Sequence, residues 1–339
     1  MIREAIDRLV RGQSLEIVEA AQVMTEIMEG EASPAQLGAF LTALRLKGES
    51  SQEIAGMATT MRQMSLHVQA DGPLVDTCGT GGDNKGTFNI STAAAFVAAG
   101  GGIKVAKHGN RAMSGACGSA DVLEALGVKI DLGPNGVQLC IREAGVGFMF
   151  APVFHPAMRH AAGPRREIGI RTIFNVLGPL TNPANAETQL IGVSEISLGE
   201  KLAEVLSLLG SQRALIAHGS DGADELTLEG ITHVWELNEG IISSYTINAQ
   251  ELGLPQIPMD AFRIETTEDS AALLHKVLQK EKGPARDVVL LNAAAVFLVA
   301  GHVRNMRDGL TLAEQAIDSG RAAAALDKLI EVSQKIANQ

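Results

Sequence analysis

From Pro73 onward the sequence alternates short apolar runs with stretches of helical periodicity: PLVDTCG, a helix opening at Ser91, IKVAKHG, the helical SADVLEALGV, then GFMFAP, QLIGVS, RALIAHG and DVVLLNAAAVF. A chain patterned in this way folds as an α/β domain with a mostly parallel central sheet and helices on both faces. The pattern stops short of the amino terminus. Residues 1–65 read as helices alone, with Ile17, Ala21, Met24, Ile27 and Met28 along one face. Two capping boxes mark helix starts there: SPAQ, with Ser33 at the N-cap and Gln36 at the third helical position, and SSQE, Ser50 to Glu53. The turn signature ADGP, Ala70 to Pro73, separates the two textures. The expected organisation is a small all-helical domain over 1–70, joined by helices from about 160–180, and a large α/β domain over 71–339. THVWELNEGIISSYTI, residues 232–247, reads as an antiparallel hairpin around Asn-Glu-Gly that forms a subsidiary edge element.

With 339 residues, 46% of them hydrophobic, the chain can bury a sizeable core. Its 28 Lys and Arg against 39 Asp and Glu give a net charge of −11, which argues against nucleic acid or an acidic membrane as the main partner. An anionic ligand must then be held by local devices: backbone amides, a few basic side chains, or a metal. Cys78, Cys117 and Cys140 are odd in number and form no Cys-x-x-Cys pair, so neither a disulfide framework nor a zinc site is expected, and a reducing cytoplasm fits best. MIREAIDRLVRGQ mixes charges with apolar residues and lacks the apolar core of a signal peptide. The uncharged stretch from Gly86 to Ile103 is broken by Thr87, Asn89, Ser91, Thr92 and three consecutive glycines, and reads poorly as a membrane span.

In an open α/β sheet, ligands sit beyond the carboxyl ends of the strands. VDTCGTGGDNKGTFNIST, residues 75–92, places a glycine loop at such an end. Gly79 and Gly82 would let main-chain amides approach a phosphate, and the start of the following helix adds partial positive charge. Asn89, Ser91 and Thr92 would supply polar groups there, with Ser91 a plausible N-cap. Taken alone, GTGGD serves a tight turn equally well. Asp83 would repel phosphates unless it accepts hydrogen bonds from ligand hydroxyls or shares a cation, which suggests a phosphorylated sugar; complementing a helix dipole is the plainer alternative.

KVAKHGNRAMSGACGSADVLEALG, residues 104–127, repeats the arrangement, with candidates Lys107, His108, Gly109 and Asn110 at the strand end and Ser119 opening a helix. His108 reads more readily as a hydrogen-bonded structural residue than as a base. In HGSDGADELTLEG, Asp224 and Glu225 are hard oxygen ligands suited to Mg²⁺, though acidic pairs on loops are commonly just solvated. Arg159, Arg165, Arg166 and Arg171 cluster in an otherwise acidic chain, and one of them could clamp a carboxylate.

Together DTCGTGGD, FNIST, KHGN, GSADVLEALG, AGPRREIGIRTIFNVLGPLTNP and HGSDGADE resemble one family over nearly the full chain, the anthranilate phosphoribosyltransferases. The resemblance implies a homodimeric enzyme of tryptophan biosynthesis that transfers phosphoribose from 5-phosphoribosyl 1-diphosphate to anthranilate. It implies that Gly79, Gly82, Asp83, Thr87, Asn89, Ile90, Ser91, Thr92, Lys107 and Ser119 bind the phosphoribosyl donor, that Asn110 and Arg165 contact anthranilate, and that Ser91, Asp224 and Glu225 hold Mg²⁺. A pyrimidine nucleoside phosphorylase is the nearest enzyme rival; a non-catalytic or altered-acceptor relative is another. One departure stands out. Where the family commonly reads Ser-Ser-Lys-Ser-Gly after KHGNR, this chain has Ser114-Gly115-Ala116-Cys117-Gly118, losing hydroxyls and a cation. The expectation is a weakened affinity for the donor, which reverting Gly115→Ser and Ala116→Lys should restore as a lower donor KM.

Overall fold

The computed structural model describes residues 1–112 and 117–337; Ser114, Gly115 and Ala116, on which the loop expectation rests, lie outside the described residues. The chain opens with helices α1 (Ile2–Val10), α2 (Ile17–Glu29), α3 (Pro34–Lys47) and α4 (Ser51–Gln63). Both capping boxes form: Ser33 Oγ accepts from Gln36 N–H while Gln36 accepts from Ser33 N–H, and Ser50 and Glu53 exchange the same pair of bonds. Glu53 is 1% exposed and carries a second duty, accepting from Leu15 N–H at 2.9 Å and from Lys47 at 2.8 Å, so one carboxylate ties α4 to two preceding segments. Gly56 is required for close approach, since a Cβ there would overlap the Ile17 carbonyl of α2.

Among the described residues seven strands form one sheet: β1 (Leu74–Gly79), β2 (Lys104–Gly109), β3 (Val146–Phe150), β4 (Thr188–Gly192), β5 (Arg213–Gly219), β6 (Ile231–Asn238) and β7 (Ile241–Asn248), in the order β3-β2-β1-β4-β5-β6-β7. The first five are parallel, and β6 and β7 are the expected antiparallel hairpin at one edge. Its turn takes Glu239 and Gly240 at φ 50° and 84°, the left-handed pair that matches the twist of a tight hairpin. Between the parallel strands run α5 (Ile90–Gly100), α6 (Ser119–Ala125) and α7 (Pro134–Ala144).

DVVLLNAAAVF departs from the sequence reading. It is not a short apolar run of strand type but the centre of helix Pro284–Val299, buried along almost its whole length and packed against α5. A helix enclosed on all sides shows no polar face, so periodicity does not reveal it. One hydrophobic cluster gathers α5, this helix and one side of the sheet; a second joins α1–α4 to Ala161, Phe174 and the other side of β4 and β5. The chain leaves β1 toward β2 and β3 on one flank and returns to β4 and β5 on the other, so the switch in strand order opens a crevice at the carboxyl ends of β1 and β4. Among the described residues no helix is long and apolar enough to cross a membrane.

Candidate active site

The loop leaving β1 winds through left-handed conformations at Gly81, Gly82, Asn84 and Gly86, with φ of 66°, 78°, 56° and 66°. Three of the four are glycines, as that geometry favours. Two glycines are also small because protein atoms occupy the space beside them. A Cβ at Gly79 would overlap the Asp224 carboxylate, and one at Gly82 would overlap the guanidinium of Arg171, which donates to Gly81 O at 3.1 Å. Thr87 forms an antiparallel bridge with Arg263, and Phe88 N–H donates to Phe262 O at 3.0 Å, so the far end of the loop is pinned before α5 begins.

Asn89, rather than Ser91, stands at the N-cap of α5. Its side chain is taken elsewhere: Nδ2 donates to Cys117 O at 3.3 Å, and Oδ1 accepts from Ser270 Oγ at 2.7 Å. Ile90 and Thr92 are 0% and 1% exposed and anchor the helix from below. Ser91 between them is partly exposed; its N–H donates to Glu225 Oε1 at 3.1 Å and its hydroxyl lies 3.3 Å from Lys107 Nζ. The carboxylate thus does the capping that the expected serine does not, an arrangement the helix dipole favours.

Lys107 comes up at the end of β2, only 3% exposed, and its ammonium donates to Thr77 O as well as to Ser91. Burial pushes its pKa down, while Asp76, Cys78 and Glu225 pull it back up. His108 beside it is 7% exposed; its Nδ1 lies 3.1 Å from Gly178 O and its ring 5.0 Å from that of His155. Burial, then the neighbouring His155, push His108 down to about 3, and burial pushes His155 down to about 4, so both rings are neutral near pH 7. Both therefore take up protons more readily when the chain unfolds. The stability they contribute is full above their ordinary value of 6.5 and is lost as pH falls toward 4 and 3. The urea midpoint should accordingly drop between about pH 7 and about pH 5, and His155→Phe should flatten that drop; equal slopes in both proteins would exclude the pair as its source.

The loop after Gly109 is similarly tight, because a Cβ at Gly109 would overlap Ser119 Oγ. Ser119 Oγ donates to Asn110 O at 3.4 Å, while the Asn110 side chain is exposed and accepts from Arg111 N–H at 2.8 Å. Arg111 is held by Asp121 and Glu124 at 2.9 and 2.8 Å. Arg165 is half-buried on helix Arg159–Ile168, with its guanidinium 4.8 Å from the Phe174 ring centre.

Asp224 and Glu225 follow β5 and fold back over the switch point. Asp224 accepts from Gly81 N–H at 2.7 Å. Burial, reinforced by Asp83, pushes Asp224 up to about 7, and burial together with Asp224 pushes Glu225 well above the usual carboxylate range. Each residue nonetheless keeps part of its surface open to the crevice. A small cavity there is lined by Thr77, Ser91, Gly192, Glu225 and Asn292. Crowded carboxylates and a serine hydroxyl fit a hard divalent cation such as Mg²⁺, whose charge would relieve their repulsion. Among the described residues no three His, Cys, Asp or Glu side chains form a group that could hold a metal ion by themselves.

The structure therefore gathers Gly79, Gly82, Asp83, Ser91, Lys107, Asp224 and Glu225 around one crevice. Asn110 stands on the neighbouring loop and Ser119 at the first position of α6, and Arg165 lies on a separate helix. Sequence reasoning gave no role to Asp76, Asn182 or Gly192, and left Arg171 as one of four clustered arginines of which one could clamp a carboxylate.

Comparison with known proteins agrees over the whole length. The model of the glycosyl transferase family α/β domain matches residues 71–323, and that of the glycosyl transferase family helical bundle domain matches residues 3–65. The chain is 54% identical to the anthranilate phosphoribosyltransferase of Dehalococcoides mccartyi, covering 100% of both chains. The crystal structure of anthranilate phosphoribosyltransferase from Thermus thermophilus superposes with a TM-score of 0.92 at 45% identity, over 97% of this chain and 99% of that one. The Saccharomyces cerevisiae enzyme, solved in complex with PRPP and Mg, gives 0.91 at 27% identity over 98% of each chain.

Proposed function

We infer the reaction from the premise that this chain belongs to the anthranilate phosphoribosyltransferase family: it transfers the phosphoribosyl group of 5-phosphoribosyl 1-diphosphate to the amine of anthranilate, releasing diphosphate, in tryptophan biosynthesis. The observation that carries the reading is the meeting of a glycine loop, a buried lysine and an acidic pair at the switch point of the sheet.

Breaking the anomeric C–O bond builds positive charge on the ribose and negative charge on the diphosphate, so catalysis depends on charges set in place beforehand. The loop after β1 and the first turn of α5 present main-chain amides and a helix N-terminus to the diphosphate. Lys107 keeps a cation beside Ser91 where that charge develops. Asp83 accepts from ribose hydroxyls. Ser91, Asp224 and Glu225 would hold Mg²⁺, which when bound would add positive charge beside the leaving group. Asn110 and Arg165 orient anthranilate, whose amine is already neutral near pH 7, so the neutral His108 is not needed as a base. His108 and Gly109 instead shape the turn that carries Lys107 and Asn110.

We also divide the chain at about residue 70 into a helical and an α/β domain, with residues 160–180 joined to the former; packing of helix Arg159–Ile168 on α2 and α3 supports this. A homodimer formed through the helical part is supported by the exposed Val10, Val18 and Leu46. We place the protein in the cytoplasm, a reading supported by the free Cys78, Cys117 and Cys140. Mixing the purified protein with the donor, Mg²⁺ and anthranilate should abolish anthranilate fluorescence as product forms. No loss, with another aromatic amine turning over, would overturn the acceptor.

A further inference from the structure

The ladder between β1 and β2 ends after Leu74↔Lys104 and Val75↔Val105, although both strands continue. β1 stays paired with β4 as far as Gly79↔Gly192, and β2 with β3 as far as Gly109↔Phe150. Strands that part in a buried place leave facing backbone groups that each need a partner. Val105 N–H donates to Gly145 O on the β3 side, and Thr80 N–H to Gly192 O on the β4 side. Alternation along the strands then turns Ala106 O, His108 N–H and Thr77 O into the gap.

Side chains satisfy all three. Asn182 Nδ2 donates to Ala106 O at 2.8 Å, Asp76 Oδ1 accepts from His108 N–H at 3.2 Å, and the Lys107 ammonium donates to Thr77 O. Asn182 Nδ2 also donates to Asp76 Oδ2 at 2.8 Å, and its Oδ1 accepts from Ala184 N–H at 2.9 Å. Asp76 and Asn182 are 0% and 1% exposed, out of reach of any ligand. Their two contacts on β2 fall on either side of Lys107, at Ala106 and at His108. The lysine is thus held at both flanking peptides while its chain crosses the gap toward Ser91.

We propose that Asp76 and Asn182 are positioning residues for phosphoribosyl transfer: by closing the backbone of the parted strands they fix Lys107 as a charged donor facing the departing diphosphate. This rests on the function inferred above.

The test is a double-mutant cycle of Asp76→Asn and Lys107→Met, assayed with both substrates and Mg²⁺. Asp76→Asn preserves size but removes the charge and sets an amide against Asn182. It should lower kcat by about tenfold to a hundredfold, the range for losing a hydrogen bond to a charged group, with the anthranilate KM within about twofold. In the Lys107→Met background it should add no further loss, because the lysine through which it acts is gone. An equal loss in both backgrounds, or an unchanged kcat, overturns the proposal. If Asp76→Asn does not accumulate folded, Asn182→Ala carries the same cycle with the same two outcomes. Wild-type activity separates the two inferences: an inactive wild type overturns the function, whereas an active wild type with an unaffected Asp76→Asn overturns the positioning role alone.

Discussion

Lys107→Met is expected to lower kcat by about 10²–10³-fold, with the KM for anthranilate within about threefold, as for loss of one preset donor to developing charge. The side chain is 3% exposed and its partners are Thr77 and Ser91, so it forms no surface ion pair that water could replace. Its charge matters most as the diphosphate departs, because negative charge there is larger in the transition state than in the bound donor. The effect should therefore fall on kcat more than on binding of either substrate. Steady-state kinetics with each substrate varied in turn check this; a donor KM raised with kcat intact would show that Lys107 contributes uniform binding only. Methionine keeps the apolar stem in its slot, and a thermal melt distinguishes lost chemistry from lost fold.

Gly192→Ala should be nearly as damaging, although residue 192 lies at a strand end and is not among the candidate ligands. A Cβ there would overlap the backbone of Asp224 at its carbonyl oxygen and carbon. A main-chain segment cannot turn aside as a side chain can, so the Asp224–Glu225 turn must lift away from β4. Overpacking of this kind costs about 1–3 kcal/mol of stability. Because the displaced segment carries two of the proposed metal ligands, the Mg²⁺ concentration giving half-maximal activity should rise by about tenfold or more, as for a misplaced metal shell. At Gly79 the obstacle is the tip of the Asp224 carboxylate, which can rotate, so Gly79→Ala should be the milder of the two. Titrating activity against Mg²⁺ for both variants ranks them, and the reverse order would show that the turn is not held by β4.

The strands from Leu74 to Gly219 are legible in the sequence because each is a short apolar run, four of the five ended by glycine and a loop and β3 by Ala151-Pro152, and the capped helices because Ser33 and Ser50 carry their own signals. Helix Pro284–Val299 is not, since a fully enclosed helix has no polar stripe to reveal its period. In the site, Asp224, Glu225 and the glycine loop stand out by residue type. Arg171 does not: it is one arginine among four, and only the fold brings it across ninety residues of chain onto Gly81. Asp76 and Asn182 lie in DTCGTGGD and at the LTNP end of the arginine-bearing segment, and nothing in either string ties one to the other. Their role exists only where two strands separate, which no local pattern records.

Sheets resist sliding and parting because their ladder bonds must break together. Between β1 and β2 that resistance is confined to two register pairs at one end. In mechanical terms the sheet is two leaves stitched near their amino ends, β3–β2 on one side and the remaining five strands on the other, with α5 lying across the stitch against β1, β2 and β3. The ladder is thereby missing at the carboxyl ends of the leaves, on the side of the crevice. What joins the leaves there is a set of side-chain hydrogen bonds made by Asp76, Lys107 and Asn182 rather than register pairs of the ladder.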